Sequence, residues 1–377
     1  MRFPPTDLLA ARHARVRRGL EALGLQALVV TSGTNIRYLS NHAGSAGTLV
    51  LTADAVHLLV DFRYEEAVRA TQASPAACPA LRVWPVPASY DEALVDCLVQ
   101  LGVGLAGFEA AHLTVARHDW LVRTLTAKGS SIELRSTERL VEQPRVVKDA
   151  FELATLRESA SRIAAVAQAA FAAVVPGRTE QEVAAVIEAA MRTAGYERIA
   201  FDTIVASGPN GALPHHRAGE RTLAVGDLVV LDFGGVLHGY CCDLTRTVSV
   251  GPPSPDAARV YGAVLEAQQA AIAAVRPGIE ASEVDAAARA VLDRRGLGEA
   301  FGHGTGHGLG LDVHEEPRVG RRRPDLPSAV LEPGMVFTIE PGAYLSGWGG
   351  VRIEDDVLVT QDGGEVLTAV GRELIAL

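Results

Sequence analysis

The sequence predicts a mixed α/β (α+β) protein of two domains: an alternating strand–helix unit over residues 1–138 and a pseudo-twofold αβ sandwich over residues 145–377. Three observations lead there. Short apolar runs alternate with helical patterns from about Leu20 to Leu140. The polar stretch Ser136 to Asp149 then breaks that periodicity and reads as a linker. Finally, one helix-and-strand pattern occurs twice in the remainder, about a hundred residues apart, as a duplication would leave it.

In the first unit, ALVVT, TLVLT and VHLLVDF are apolar runs bounded by Gly, Asn and Asp, the signature of strands. YDEALVDCLVQL reads as a helix, with Gly102 as its left-handed stop. After the linker, Leu153, Leu156, Ile163, Val166, Ala170 and Val174 recur at three- and four-residue steps and give one apolar helix face. Pro176-Gly177 stops that helix, and Thr179 with Glu182 forms a capping box for the next, which ends at Gly195. VVPGRTEQEVAAVIEAAMRTAG is echoed by VRPGIEASEVDAAARAVLDRRG, with Pro176/Pro277, Gly177/Gly278, Glu182/Glu283, Val183/Val284 and Gly195/Gly296 in register. The strand LAVGDLVVLDFGG likewise aligns with LEPGMVFTIEPGA, which sets Asp232 over Glu340; after a short insertion, Asp243 falls opposite Glu354. Each half thus offers two carboxylates to one central cleft.

Composition narrows the function. The 377-residue chain is 48% hydrophobic, enough for a sizeable core, and its net charge of −10 argues against nucleic acid or an anionic membrane as a partner. No apolar run reaches membrane-spanning length, and the N-terminus reads as an amphipathic start rather than a signal peptide. Cys78, Cys97, Cys241 and Cys242 lack the spacing of a metal finger or a disulfide framework; they read as buried small hydrophobes, which fits a cytoplasmic location.

Asp232, Asp243, His307, Glu340 and Glu354 each lie in a glycine-rich, strand-like context. Each has a plain alternative. Asp232 could form a turn before Gly234-Gly235, where it is read as ending its strand. Asp243 could pair with Arg246, and Glu340 could be a strand-end carboxylate. Glu354 could belong to a solvated acidic run. Their duplicated placement favours a joint role, because a carboxylate at the end of an apolar run costs several kcal/mol unless something compensates it. Four carboxylates and one imidazole suit a pair of divalent cations, Mn²⁺ or Co²⁺ first, with Zn²⁺ or Fe²⁺ as alternatives. Metal-assisted hydrolysis is the chemistry such a site supports. Alternation in GGVRIEDD puts Arg352 and Glu354 on one side of the chain, with Val351, Ile353 and Asp355 on the other. The glycines around His303 and His307 allow close backbone approach, and neither a G-x-G-x-x-G nor a G-K-[ST] sequence supports nucleotide binding there.

The motifs LDFGGVLHGYCCDLTRT, GHGTGHGLGLDVHEEP, TIEPGAY and GGVRIEDD resemble those of the pita-bread metallopeptidases, in particular the Xaa-Pro branch of prolidase and aminopeptidase P. The resemblance implies a creatinase-like N-terminal domain and a pita-bread catalytic domain. It implies that Asp232 holds one metal, that His307 and Glu340 hold the other, and that Asp243 and Glu354 bridge both. Glu340 is further implied to take the proton of the attacking water, His215 to stabilise the tetrahedral intermediate, and His314 to contact the scissile region. His303 and Arg352 resemble residues that support the metal site or line the proline site, and Arg318 the arginine some prolidases set near a dipeptide's carboxylate. His216 receives no role. Substrates would be proline-containing peptides and the assembly a homodimer.

Within this branch the expectation is a small aminopeptidase P, which removes an N-terminal residue that precedes proline. The alternative is an Xaa-Pro dipeptidase, and a non-catalytic pita-bread binding module is the distant one. Methionine aminopeptidases typically lack such an N-terminal domain, and creatinase has lost the metal positions that are kept here.

Overall fold

The computed structural model describes residues 2–325 and 327–377 and divides into two units, Arg2–Arg145 and Val146–Leu377. The first is built on a six-stranded mixed sheet of β1 (Ala27–Val30), β2 (Thr48–Thr52), β3 (Val56–Val60), β4 (Leu81–Pro85), β5 (Leu105–Glu109) and β6 (Glu133–Thr137), in the order β4-β3-β2-β1-β5-β6. Its helices are α1 (Thr6–Ala22), α2 (Gly33–Ser40), α3 (Phe62–Gln72), α4 (Tyr90–Leu101) and α5 (Val115–Ala127). Gly102 closes α4 with φ 64°, the left-handed stop expected there. The stretch read as a linker is ordered: β6 covers its start, and the short helix α6 (Glu142–Val146) follows. Asn35 explains this order, since its amide donates to Glu142 Oε1 at 2.6 Å and its carbonyl accepts from Arg145 Nη1 at 2.7 Å.

Helix α1 buries His13, whose Nε2 lies 2.5 Å from the Leu39 carbonyl. Burial, aided by Arg17 and Arg12 and opposed by that carbonyl, pulls its pKa down to about 4. The unfolded chain therefore binds this proton more readily, with a pKa of about 6.5. The associated stability is fully present above pH 6.5 and is lost as pH falls towards 4, a difference of about 3 kcal/mol. In urea titrations at pH 7 and pH 4, His13→Gln, which retains a donor for Leu39, is expected to lack this part of the acid sensitivity.

The second unit opens with α7 (Ala150–Ala173) and α8 (Glu180–Thr193), each started by a capping box. Then come β7 (Arg198–Ile199), β8 (Ile204–Ser207), β9 (Leu228–Leu237) and β10 (Tyr240–Ser249). Strand β9 pairs with β10 along one edge and with β7 and β8 along the other. Helices α9 (Pro255–Ala274) and α10 (Ala281–Arg294) begin the second half, followed by β11 (Gly306–Gly308), β12 (Glu315–Val319), β13 (Val336–Ile339), β14 (Gly342–Leu345), β15 (Gly349–Arg352), β16 (Asp355–Val359) and β17 (Gly364–Val366). These strands form a five-stranded sheet, β12-β11-β13-β16-β17, and a β14-β15 pair.

The two halves repeat the same layering. Ile163 and Val166 of α7 and Val183 and Ile187 of α8 pack on Val229, Leu231 and Phe233 of β9. Val260 and Val264 of α9 and Val284 and Val291 of α10 pack on Phe337 and Ile339 of β13. The in-register glycines share their backbone too: Gly177 and Gly278 both have φ 85°, and Gly226 and Gly334 have φ 96° and 95°. Because Cβ direction alternates along a strand, covering one face with helices turns Asp232 and Glu340 to the other.

Candidate metal centre

Asp232 and Asp243 reach one face through strand register. Asp232 lies opposite Thr245 and Asp243 opposite Gly234, so the two carboxylates are diagonal neighbours on the β9–β10 ladder. Asp232 does not end its strand: β9 continues to Leu237, and the tight turn is at His238-Gly239, with φ 50° and 86°. Nor does Asp243 pair with Arg246, whose guanidinium instead holds Asp355 at 2.8 Å and the Glu354 carbonyl at 2.6 Å.

His307 sits on β11, where a Cβ on either neighbouring glycine would overlap backbone: the Thr338 carbonyl at Gly306 and the Glu316 carbonyl at Gly308. The strand register shifts between His307 and Gly308, a bulge that re-aims the side chain. Its Nδ1 faces the Gly308 carbonyl at 3.0 Å, so Nδ1 carries the proton and Nε2 is left as a lone-pair donor. That Nε2 is 3.6 Å from Glu340 Oε1 and 4.0 Å from Asp243 Oδ2. Burial and the neighbouring His314 pull the His307 pKa down to about 4, so the ring is neutral at physiological pH.

Glu340 follows β13; its N–H donates to the Thr305 carbonyl at 2.7 Å and its Oε1 accepts from Thr338 Oγ1 at 3.4 Å. Glu354, 2% exposed, accepts from Thr245 Oγ1 at 2.6 Å. Asp243, His307 and Glu354 each offer a ligand atom within 4.8 Å of the others.

The arrangement fits cations. Burial, and then mutual repulsion, pushes Asp243 and Glu354 well above the usual carboxylate range, and burial also raises Glu340. Among the described residues, the buried Asp232 Oδ1 and Asp243 Oδ1 find no hydrogen-bond partner. Oxygen donors crowded in this way, with one neutral imidazole, need compensating positive charge that the protein only partly supplies. The protein's share is Arg352, whose Nη2 contacts Asp232 Oδ2 at 2.5 Å. Burial opposes its charge, but Tyr344 and the carboxylates of Asp232, Glu340 and Glu354 hold it protonated.

The remaining predicted residues divide between the centre and its rim. Arg352 also donates to Thr245 Oγ1 at 3.2 Å, to the Pro214 carbonyl at 3.5 Å and to Tyr344 Oη at 2.8 Å. His303 is pulled down to about 4 by burial; its Nδ1 faces the Gly304 carbonyl at 2.8 Å, so its Nε2 accepts from Tyr344 Oη at 2.8 Å. His314 is exposed, with its ring centroid 4.2 Å from that of His307. His215 is exposed and close enough to influence both His303 and His314. Arg318 is exposed and lies directly opposite His307 in the β11–β12 pair.

Several residues that organise the site receive no role in the sequence reading above. His216 donates to the buried Glu180 at 2.8 Å. Glu180 also accepts from Ser207, Asn210 and Gly219, and so anchors the loop that carries His215. Burial works against the charge of Glu180, but these hydrogen bonds hold its pKa below the usual range. Tyr344, raised to about 12 mainly by burial, keeps the proton that it gives to His303. Thr245 bridges Arg352 and Glu354, and two-residue alternation in DLTRT, which sets Asp243, Thr245 and Thr247 on one face, is the signal that could have found it.

Comparisons with known proteins identify the family. Residues 154–361 match the model of metallopeptidase family M24, and residues 12–147 match the creatinase/prolidase N-terminal domain. The chain is 33% identical over 371 residues to the Xaa-Pro dipeptidase of Pyrococcus horikoshii, a match that covers 98% of this chain and 100% of the relative. Among solved structures, the Xaa-Pro dipeptidase from Bacillus anthracis matches with TM-score 0.90 and 36% identity, covering 98% of this chain and 100% of the other. The X-Pro aminopeptidase from Thermotoga maritima matches with TM-score 0.84 and 32% identity, covering 97% and 99%. With a catalytic-domain match across more than half its length and near full-length relatives, the chain belongs to metallopeptidase family M24 and carries a creatinase/prolidase N-terminal domain.

Proposed function

We propose that this protein is an Xaa-Pro dipeptidase, a two-metal hydrolase of dipeptides with proline at the second position. The observation that carries the reading is the close approach of Asp232, Asp243, His307, Glu340 and Glu354 to one another. Asp232 would hold one divalent cation, His307 and Glu340 the other, and Asp243 and Glu354 would lie between them; Mn²⁺ or Co²⁺ suits this donor set best. When bound, the cations supply Lewis-acid polarisation of the scissile carbonyl and make a nucleophile available from water at neutral pH. Glu340 takes the proton of the attacking water. His215 and His314, at the open side, donate to the developing oxyanion and the scissile region, and the departing proline nitrogen receives the proton that Glu340 took from the water. His303, Tyr344 and Arg352 position Asp232 through their shared hydrogen bonds. The peptide bond to proline has no N–H to recognise, and this chemistry requires none.

By chain length and the compact N-terminal domain alone, the expectation is the aminopeptidase P type. Dipeptidase names on both the sequence and the structural side support the alternative, and so does Arg318, whose place opposite His307 suits the far end of a dipeptide and its carboxylate. With the metal-loaded enzyme, an Xaa-Pro dipeptide is expected to be cleaved and an Xaa-Pro-Xaa tripeptide largely refused. Arg318→Met should raise the KM for the dipeptide by about 10- to 100-fold, the scale of one charge-assisted hydrogen bond. Efficient tripeptide cleavage that is indifferent to Arg318→Met would return the protein to the aminopeptidase type.

No described helix is long and apolar enough to cross a membrane. The four cysteines are free and buried, which supports a reducing compartment, the cytoplasm. The family resemblance adds a homodimer.

A further inference from the structure

Between the η turn at Gly298–Ala300 and β11, residues 301–305 carry no regular secondary structure, yet the chain there must deliver His303 and His307 to fixed positions. What fixes this segment is a buried ion pair on α10. Asp285, 1% exposed, accepts from Thr305 N at 3.0 Å and from Thr305 Oγ1 at 2.9 Å. It is also gripped bidentately by Arg289, Nε to Oδ2 at 2.6 Å and Nη2 to Oδ1 at 3.0 Å. Arg289 in turn donates to the Phe301 carbonyl at 3.1 Å and to the His303 carbonyl, with its guanidinium 4.3 Å over the Phe301 ring. The carboxylate ties residue 305, and the guanidinium ties residues 301 and 303.

Thr305 is the junction. Its carbonyl accepts the Glu340 N–H at 2.7 Å, and His307 follows two residues later, held by Thr338 Oγ1 at 3.1 Å. The other three acidic side chains depend on different supports: Asp232 on Arg352, Glu354 on Thr245, and the Asp243 N–H on Asp356 at 3.2 Å.

We propose that Asp285 and Arg289 are positioning residues for the His307–Glu340 half of the metal centre, acting through Thr305, so that their loss loosens one cation and leaves the other in place. This rests on the two-cation reading above. An ion pair at i,i+4 on a helix could serve stability alone, and the test must separate the two roles.

Mn²⁺ is titrated calorimetrically into the metal-free full-length chain. Wild type is expected to take two ions; if it takes none, the two-cation reading fails whatever the variants do. Asp285→Asn keeps the side-chain shape and is expected to weaken one ion by about 10- to 100-fold, the usual scale for a residue that orients a ligand, and to leave the other near its wild-type affinity. Thr305→Val, which removes a single hydroxyl donor, should act in the same direction by less, and it decides the question if Asp285→Asn does not fold. In a His307→Ala background, where that same ion is already weak and only Glu340 is left for the pair to position, Asp285→Asn should add less than its full loss in wild type. Two ions at wild-type affinity, two ions weakened equally, or an additive loss in the His307→Ala background would each overturn the proposal.

Discussion

Replacing Asp243 by alanine is expected to lower kcat/KM for an Xaa-Pro dipeptide by at least about a thousandfold. Asp243 is 4% exposed; its Oδ2 is 4.0 Å from His307, and its charge interacts with those of Glu354, Asp232 and Glu340. In the proposed two-cation reading, a carboxylate so placed would contribute to holding both ions. Removing it forfeits several kcal/mol of electrostatic stabilisation, and each 1.4 kcal/mol is about tenfold in rate. The fold should survive, because the β9–β10 ladder does not depend on this side chain. Steady-state kinetics at saturating Mn²⁺, with circular dichroism as the control for folding, make the measurement; turnover within about tenfold of wild type would remove Asp243 from the site.

The second large effect concerns stability. Asp243, Glu340 and Glu354 repel one another when no cation is present, and Arg352, which contacts Asp232, compensates only part of that charge. Divalent metal should therefore bind the folded chain preferentially. For each ion held at a hundredfold excess over its dissociation constant the gain is about 3 kcal/mol. In a domain of this size that is a rise in Tm of roughly 6–12 °C per ion. Adding EDTA should reverse it, and a melting temperature indifferent to chelation and reloading would contradict this expectation.

Much of this site is legible in the chain because duplication repeats a pattern. LAVGDLVVLDF against LEPGMVFTIEP aligns Asp232 with Glu340, and helix burial on one face of each strand puts both on the other. Asp232 reads as a strand end because Gly234-Gly235 looks like a turn; the strand instead runs through both glycines, and His238-Gly239 makes the turn. Alternation in GGVRIEDD correctly separates Arg352 and Glu354 from Asp355, which turns to Arg246, Gln268 and Arg372. The supports are harder to see. Asp285 and Arg289 look like an ordinary surface pair on an amphipathic helix, and only the folded loop shows Thr305 between them and Glu340. His216 stands beside His215 in a loop of Pro, Gly and Asn; its purpose depends on Glu180, 36 residues earlier, and no local pattern reports that distance.

Whether two cations share this cleft is tested most directly by a crystal structure of the Mn²⁺-loaded protein with anomalous diffraction recorded for manganese. Two peaks are expected, one beside Asp232 and one beside His307 and Glu340, with Asp243 and Glu354 between them. Peaks elsewhere, or a single peak that leaves Asp232 or His307 and Glu340 unligated, would contradict the two-metal centre.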